Sequence, residues 1–314
     1  MRGSKKSLIF MGTPEFAAPS LRALIRDHEV RAVFTSPPKP AGRGMEIKFS
    51  PVYEIAAKNN IQIHTPRTLK DRAILDIINT IDADIIVVCA YGFIIPPSIL
   101  SAKKYGCINL HPSRLPKFRG ASPLQHTIIE GETESSICII QMDAGLDTGP
   151  ILLQKDFSMP YRATLAWLHD YTAKEGAELI SNVVSNIENL KPVAQNLSGA
   201  SYASKLSKDD SYINWVDSAE KIDCGIRGRF PWPGSYMKTN LGDIKIIEAK
   251  PFAESSSEES YNKEKYQSGQ IIDSKKLIIA CGDGLLKIEK LQVPGGKQIS
   301  ALEFFNSKKL EWIS

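Results

Sequence analysis

Short apolar runs recur along the first two thirds of the chain, and between them apolar residues fall at helical spacing. Ser7–Met11, Val30–Thr35, Asp84–Ala90 and Cys107–Leu110 are runs of strand length, while Phe16, Leu21, Leu24 and Ile25, then Val52–Asn59 and Asp71–Ile81, follow the 3.6 period. The run DIIVVCA at Asp84–Ala90 is continuously apolar with β-branched residues, the pattern of a parallel strand covered on both faces. Ser135–Met142 and Pro150–Phe157 read as two further strands, and Ser122–Glu130 as a helix stopped by Gly131. Thr164–Leu190 carries Leu165, Leu168, Ala177, Ile180, Val183, Val184 and Ile187 on one stripe, a long helix with a face for the sheet. Strands alternating with helices predict a Rossmann-like α/β domain with a mostly parallel sheet over residues 1–190.

Past Leu190 the pattern changes. Residues 191–208 lose periodicity and read as a linker. From 209 to 314 a helix at Asp217–Arg227 is followed by about five short strands, Ser235–Thr239, Ile244–Pro251, Gln270–Ile272, Lys276–Cys281 and Leu285–Val293, separated by turns such as NLGD and CGDG. That predicts a small β-barrel of the oligonucleotide-binding (OB) type. ESSSEESYNKEK between two of the strands is charged and poor in apolar residues, so a mobile loop is expected there. SPPKPAGRGMEIKFSP after the second strand is too rich in Pro and Gly for regular structure, and it carries Lys39, Arg43 and Lys48.

Composition narrows the class. With 314 residues and a net charge of +4 the chain is long enough for two domains, and it permits nucleic-acid binding without demanding it. From Asp209 onward acidic and basic residues are about equal in number, so a basic excess lies in the first domain. The cysteines Cys89, Cys107, Cys138, Cys224 and Cys281 are scattered, with no C-x-x-C and no metal spacing, and read as buried thiols in a reducing compartment. No metal is expected. No run reaches membrane-span length and the start lacks a signal-peptide core, which gives a cytoplasmic chain with no membrane partner as the expectation. The first strand exits into GTPEF without G-x-G-x-x-G or G-K-[ST], arguing against dinucleotides and nucleoside triphosphates.

The candidate chemistry sits at Cys107–Pro123, CINLHPSRLPKFRGASP. Pro112, Pro116 and Gly120 stop the strand, so its polar residues lie at a strand end, where open α/β sheets bind ligands. Alternation sends Asn109 and His111 to one face and Ile108 and Leu110 to the other. A lone Asn-x-His is more often a turn cap beside a core histidine. The loop DAGLDTG, between the two later strands, adds Asp147 as a candidate partner for His111.

On NLHPSRLPKFRGASP with MDAGLDTG, the chain resembles the folate-dependent formyltransferase family. MGTPEFAAPSL, FTSPPKPAGRG, AYGFIIP, YASKLSKDD and FPWPG extend the resemblance over nearly the whole length, toward the members that act on methionyl-tRNA. The resemblance implies Asn109, His111 and Asp147 as the catalytic set and 10-formyltetrahydrofolate as co-substrate, contacted by Ser113, Arg114, Leu115 and Pro116. It implies a tRNA-binding insertion carrying Lys39, Arg43 and Lys48, with Lys205 along the tRNA path, and the initiator methionyl-tRNA as partner of a monomer. A formyltransferase acting on a small amine, a formyl-folate hydrolase and a non-catalytic RNA-binding protein are the alternatives. The basic insertion and added barrel count against a small acceptor, and the presence of all three site residues against a non-catalytic chain.

Overall fold

The computed structural model describes residues 4–41, 45–252 and 266–307, with 310 and 313. They form two compact units, Met1–Pro123 with Glu134–Ser158 and Ala166–Ala203, and Leu124–Thr133 with Met159–Leu165 and Ser204–Ser314.

In chain order the elements begin with β1 (Ser7–Gly12), α1 (Ala18–Asp27), β2 (Glu29–Phe34), β3 (Lys39–Ala41), β4 (Glu46–Lys48), α2 (Pro51–Lys58), β5 (Gln62–His64), α3 (Arg72–Thr80), β6 (Ile85–Cys89), α4 (Pro97–Leu100) and β7 (Cys107–His111). They continue through β8 (Arg119–Gly120), α5 (Pro123–Ile129), β9 (Glu134–Gln141), β10 (Ile151–Ser158), α6 (Leu165–Asn186) and β11 (Tyr202–Ala203). The main sheet runs β10-β9-β7-β6-β1-β2-β5. β5, β2, β1, β6 and β7 are parallel, and β9 and β10 join antiparallel at one edge. This is the Rossmann-like arrangement the alternation predicts.

Local chemistry accounts for the pieces. Every residue of β6 is buried, as its unbroken apolar run requires; each Val or Ile so covered contributes about 1.5–3 kcal/mol relative to exposure. At α2 the Ser50 side chain accepts from the Tyr53 amide at 3.0 Å and Pro51 opens the helix, a favourable start for eight residues. Helix α6 covers the face of β7 that carries Leu110. A Cβ on Gly176 would lie 2.5 Å from Leu110 Cδ1, so the close approach of helix to strand depends on that glycine. The opposite face of β7, with Asn109 and His111, is thereby left for the site.

Three features differ from the sequence reading. The insertion after β2 is not wholly irregular, because β3 and β4 form a short hairpin in which Pro40 needs to supply no ladder donor at its edge position. β5 was too short to carry a period, yet it pairs with β2 at the sheet edge. In the AYGFIIP loop Tyr91 and Ile95 are buried, whereas Ile94 is 92% exposed.

The second unit holds α7 (Ala219–Arg229), β12 (Ser235–Thr239), β13 (Gly242–Pro251), β14 (Ile271–Asp273), β15 (Ile278–Ala280), β16 (Leu285–Gln292), β17 (Gln298–Ser300) and α8 (Ala301–Ser307). All strand pairs are antiparallel, in the order β12-β13-β16-β15-β14 with β17 also on β16, an OB-like half-barrel. Its core gathers Met237, Ile244, Ile246, Leu286, Ile288 and Leu291 around Ile222, Ile226 and Phe304. Asp223 on α7 is 2% exposed and holds Arg162 at 2.8 Å and Arg227 at 2.9 Å, which tethers 159–165 into this unit. The ESSSEESYNKEK segment and Arg43 lie outside the described residues. Among those described, no helix is long and apolar enough to cross a membrane.

Candidate active site

The site lies at the carboxyl end of β7. Asn109 pairs in register with Ile140 and His111 with Cys138 on β9, so the two polar side chains share one face, two residues apart. His111 is 3% exposed. Its Nε2 lies 3.0 Å from the Phe118 carbonyl, and its Nδ1 lies 3.6 Å from Asp147 Oδ2, a gap longer than a direct hydrogen bond. The carboxylate accepts from the Gly120 amide at 2.8 Å. Asn109 is half-buried, and its carboxamide has no hydrogen-bond partner among the described residues. His111 and Asp147 thus meet, with Asn109 two residues before His111 on the same face of β7 and its amide free among the described residues.

The loop bearing Asp147 is built to hold it. Asp143 Oδ1 accepts from the Gly145 amide at 3.0 Å and from Thr148 Oγ1 at 2.7 Å. A Cβ on Gly149 would fall 1.8 Å from the Gln141 carbonyl, so only glycine lets the loop return against β9. Asp147 has φ 52°, the left-handed region, which costs a non-glycine residue about 1–2 kcal/mol and persists only if the surroundings hold it. Gln195, which sequence reasoning passed over inside the 191–208 stretch, is part of that support.

Tyr91 follows β6, the parallel neighbour of β7, and packs in the apolar core with Phe34, Leu69 and Ile78. Its buried hydroxyl has no partner among the described residues, and burial pushes its pKa well up. Burial also pushes the thiols of Cys89, Cys107 and Cys138 up to about 12, so they stay protonated, as expected of core cysteines. Cys224 is only half-buried.

The remaining sequence candidates fall into two groups. In Ser113–Pro116, the Ser113 hydroxyl donates to the Lys117 carbonyl at 2.8 Å, Arg114 pairs with Glu134 at 2.9 Å, and Leu115 packs with Cys138 and Ile140. The Ser113 and Leu115 side chains turn inward, whereas Arg114 is exposed and its ion pair lies at the surface. Lys39 and Lys48 stand directly opposite each other across the β3–β4 hairpin, exposed, with no ion pair among the described residues. Like charges in that relation are destabilising unless something anionic lies against them. Met45 and Ile47 are exposed beside them, and Lys205 is exposed in the second unit.

A parallel sheet with an Asn, a His and an Asp at one strand end, joined in sequence to an antiparallel half-barrel, is the architecture of a formyl transferase. The chain belongs to that family: the profile for formyl transferase matches residues 5–184, and that for the formyl transferase C-terminal domain matches 205–309. Among the curated relatives it is 50% identical to the methionyl-tRNA formyltransferase of Rickettsia felis over 303 residues, 96% of this chain and 97% of that one. It is 51% identical to the methionyl-tRNA formyltransferase of Rickettsia bellii over the same shares. Among solved structures, WlaRD, a sugar 3N-formyl transferase crystallised in the presence of dTDP and 5-N-formyl-THF, superposes with a TM-score of 0.66 at 22% identity. That match covers 91% of this chain and 98% of WlaRD.

Proposed function

We propose that this enzyme transfers the formyl group of 10-formyltetrahydrofolate to the α-amino group of methionine on initiator tRNA. The observation that carries the reading is the meeting of His111 and Asp147 at one strand end, with Asn109 on the same face of β7, in a chain about half identical to methionyl-tRNA formyltransferases along nearly its whole length. The unpaired Asn109 carboxamide is the polar group that fits a bound folate. Bound formyl-folate supplies the carbon that is attacked and the nitrogen that leaves.

The chain's own residues supply the rest. An α-amino group has a pKa of about 7.7–8.0, so a fraction is already neutral near physiological pH and no strong base is needed. As the amine nitrogen bonds to the formyl carbon, negative charge grows on the formyl oxygen. Asn109 Nδ2 donates to it, joined by His111 Nδ1–H when both imidazole nitrogens carry a proton, and one such donor is typically worth about 2.7–4 kcal/mol in the transition state. The amine gives up a proton, which Asp147 accepts through a water. The folate nitrogen takes a proton from His111 or that water as its bond to carbon breaks. The segment Ser113, Arg114, Leu115 and Pro116 lines the folate.

Lys39, Arg43, Lys48 and Lys205 contact tRNA phosphates, where each neutralised phosphate releases counterions. Catalysis and the basic tRNA-binding insertion belong to residues 1–190, and 209–314 adds a further tRNA-binding domain across the 191–208 linker. The protein works as a cytoplasmic monomer.

The test is transfer of labelled formyl from 10-formyltetrahydrofolate to methionyl-initiator tRNA, beside methionyl-elongator tRNA, free methionine and a His111→Ala control. Labelled initiator tRNA alone, lost in the control, is the expected result. Folate consumption without labelled tRNA overturns the choice of acceptor.

A further inference from the structure

Three consecutive residues grip the site. The Phe118 carbonyl meets His111, the Gly120 amide meets the Asp147 carboxylate, and between them Arg119 is 3% exposed. Arg119 Nε and Nη2 donate to Gln195 Oε1 at 3.1 and 2.7 Å. With its oxygen held by two charge-assisted bonds, the Gln195 amide can point only one way. Its Nε2 donates to the backbone carbonyls of Asp147 and Gly149 at 2.8 and 2.7 Å. The first of those bonds falls on the one non-glycine residue of the loop that has a left-handed backbone, and the second two residues after it. The strap that carries Gln195 is fastened in turn: β11 pairs with β8, the Ser201 hydroxyl accepts from the Phe118 amide at 3.0 Å, and the Arg119 amide donates to the Ser201 carbonyl at 2.9 Å.

We infer that Gln195 and Arg119 are positioning residues for Asp147: the relay Arg119–Gln195–Asp147 holds the catalytic carboxylate on the Gly120 amide and beside His111. Without the two bonds from Gln195 the Asp147 backbone relaxes out of the left-handed region, and the carboxylate swings with it. This rests on the formyl transfer proposed above. A misplacement on the order of 1 Å at such a site costs about a hundredfold in rate.

The decisive variant is Gln195→Met, which keeps length and packing and removes both donors. Gln195→Glu is its companion, since the carboxylate still pairs with Arg119 but has no N–H for the two carbonyls. In each, measured at a temperature where the variant stays folded, kcat should fall about tenfold to a hundredfold with KM for both substrates near wild type; Gln195→Glu, which keeps a partner for the buried Arg119, controls for lost stability. In the Asp147→Asn background Gln195→Met should cost little more, because coupled residues are not additive. Hydrogen exchange at the Gly120 amide reads the relay without turnover and should quicken in Gln195→Met. A kcat within twofold of wild type, a full multiplicative loss in the Asp147→Asn background, or unchanged exchange at Gly120 overturns the relay. A wild-type chain that transfers no formyl group overturns the proposed function instead, and the exchange experiment still decides the relay.

Discussion

Replacing Asn109 by alanine separates catalysis from folding cleanly, because of what the carboxamide does not touch. It is half-buried and has no hydrogen-bond partner among the described residues, so its removal orphans no protein acceptor. A change of that kind alters stability by about 0.5 kcal/mol or less. The donor it offers a developing oxyanion is worth about 2.7–4 kcal/mol, so turnover should fall about 10²- to 10³-fold. Binding of formyl-folate in the ground state should change little, since a neutral carbonyl gains less from the same donor. The assay is single-turnover formyl transfer at saturating tRNA, with folate affinity by equilibrium titration and stability by urea unfolding. Unchanged turnover refutes the role, and so does a loss matched by an equal loss of stability or of folate affinity.

Gly149→Ala places a methyl 1.8 Å from the Gln141 carbonyl and should cost about 1–3 kcal/mol of stability together with activity; a variant as stable and active as wild type shows that the loop yields without consequence. Lys39→Ala with Lys48→Ala removes a like-charged pair across the hairpin, so stability should hold or rise by about 0.2–1 kcal/mol. The same double variant should raise KM for tRNA and flatten its salt dependence, and a KM unchanged at every salt concentration rules the hairpin out of tRNA binding. The Lys6 ammonium at 2.6 Å, with the Tyr105 hydroxyl at 2.5 Å, holds the Glu188 carboxyl down at about 2. A depressed folded pKa stabilises above the unfolded value of about 4.3 and loses that contribution as pH falls through the folded one. The gap in urea midpoint between wild type and Glu188→Gln should therefore be constant near neutrality and close between about pH 4.5 and 2; a gap that persists at pH 2 contradicts this.

Much of this could be read from the chain because the physics involved is local. An apolar run such as IIVVC announces a buried strand by itself, and alternation alone puts Asn109 and His111 on one face. Gln195 gave no such sign. It sits in a polar, aperiodic stretch and acts through backbone carbonyls 46 and 48 residues away, and carbonyls leave no trace in residue identity. The two-residue strands β8 and β11 were invisible for the same reason, since neither is long enough to show a period. At β17 and α8 the pattern has only a few residues in which to declare itself. Ser113 and Leu115 illustrate the converse: a motif marks a segment, and only the fold tells which of its side chains turn inward.

Because the second unit is assembled from Leu124–Thr133, Met159–Leu165 and everything after Ala203, the gene's order and the molecule's order disagree. A stop codon after the strap would delete most of that unit yet leave two of its pieces behind, stripped of α7 and of the Asp223 carboxylate that Arg162 grips. A protease cut near Ser204 would break the chain without freeing a self-sufficient C-terminal body, since that body keeps parts encoded far upstream. Recombination that swaps the last hundred residues between relatives therefore exchanges an incomplete module. Its success depends on whether the donor's α7 still suits the recipient's Arg162.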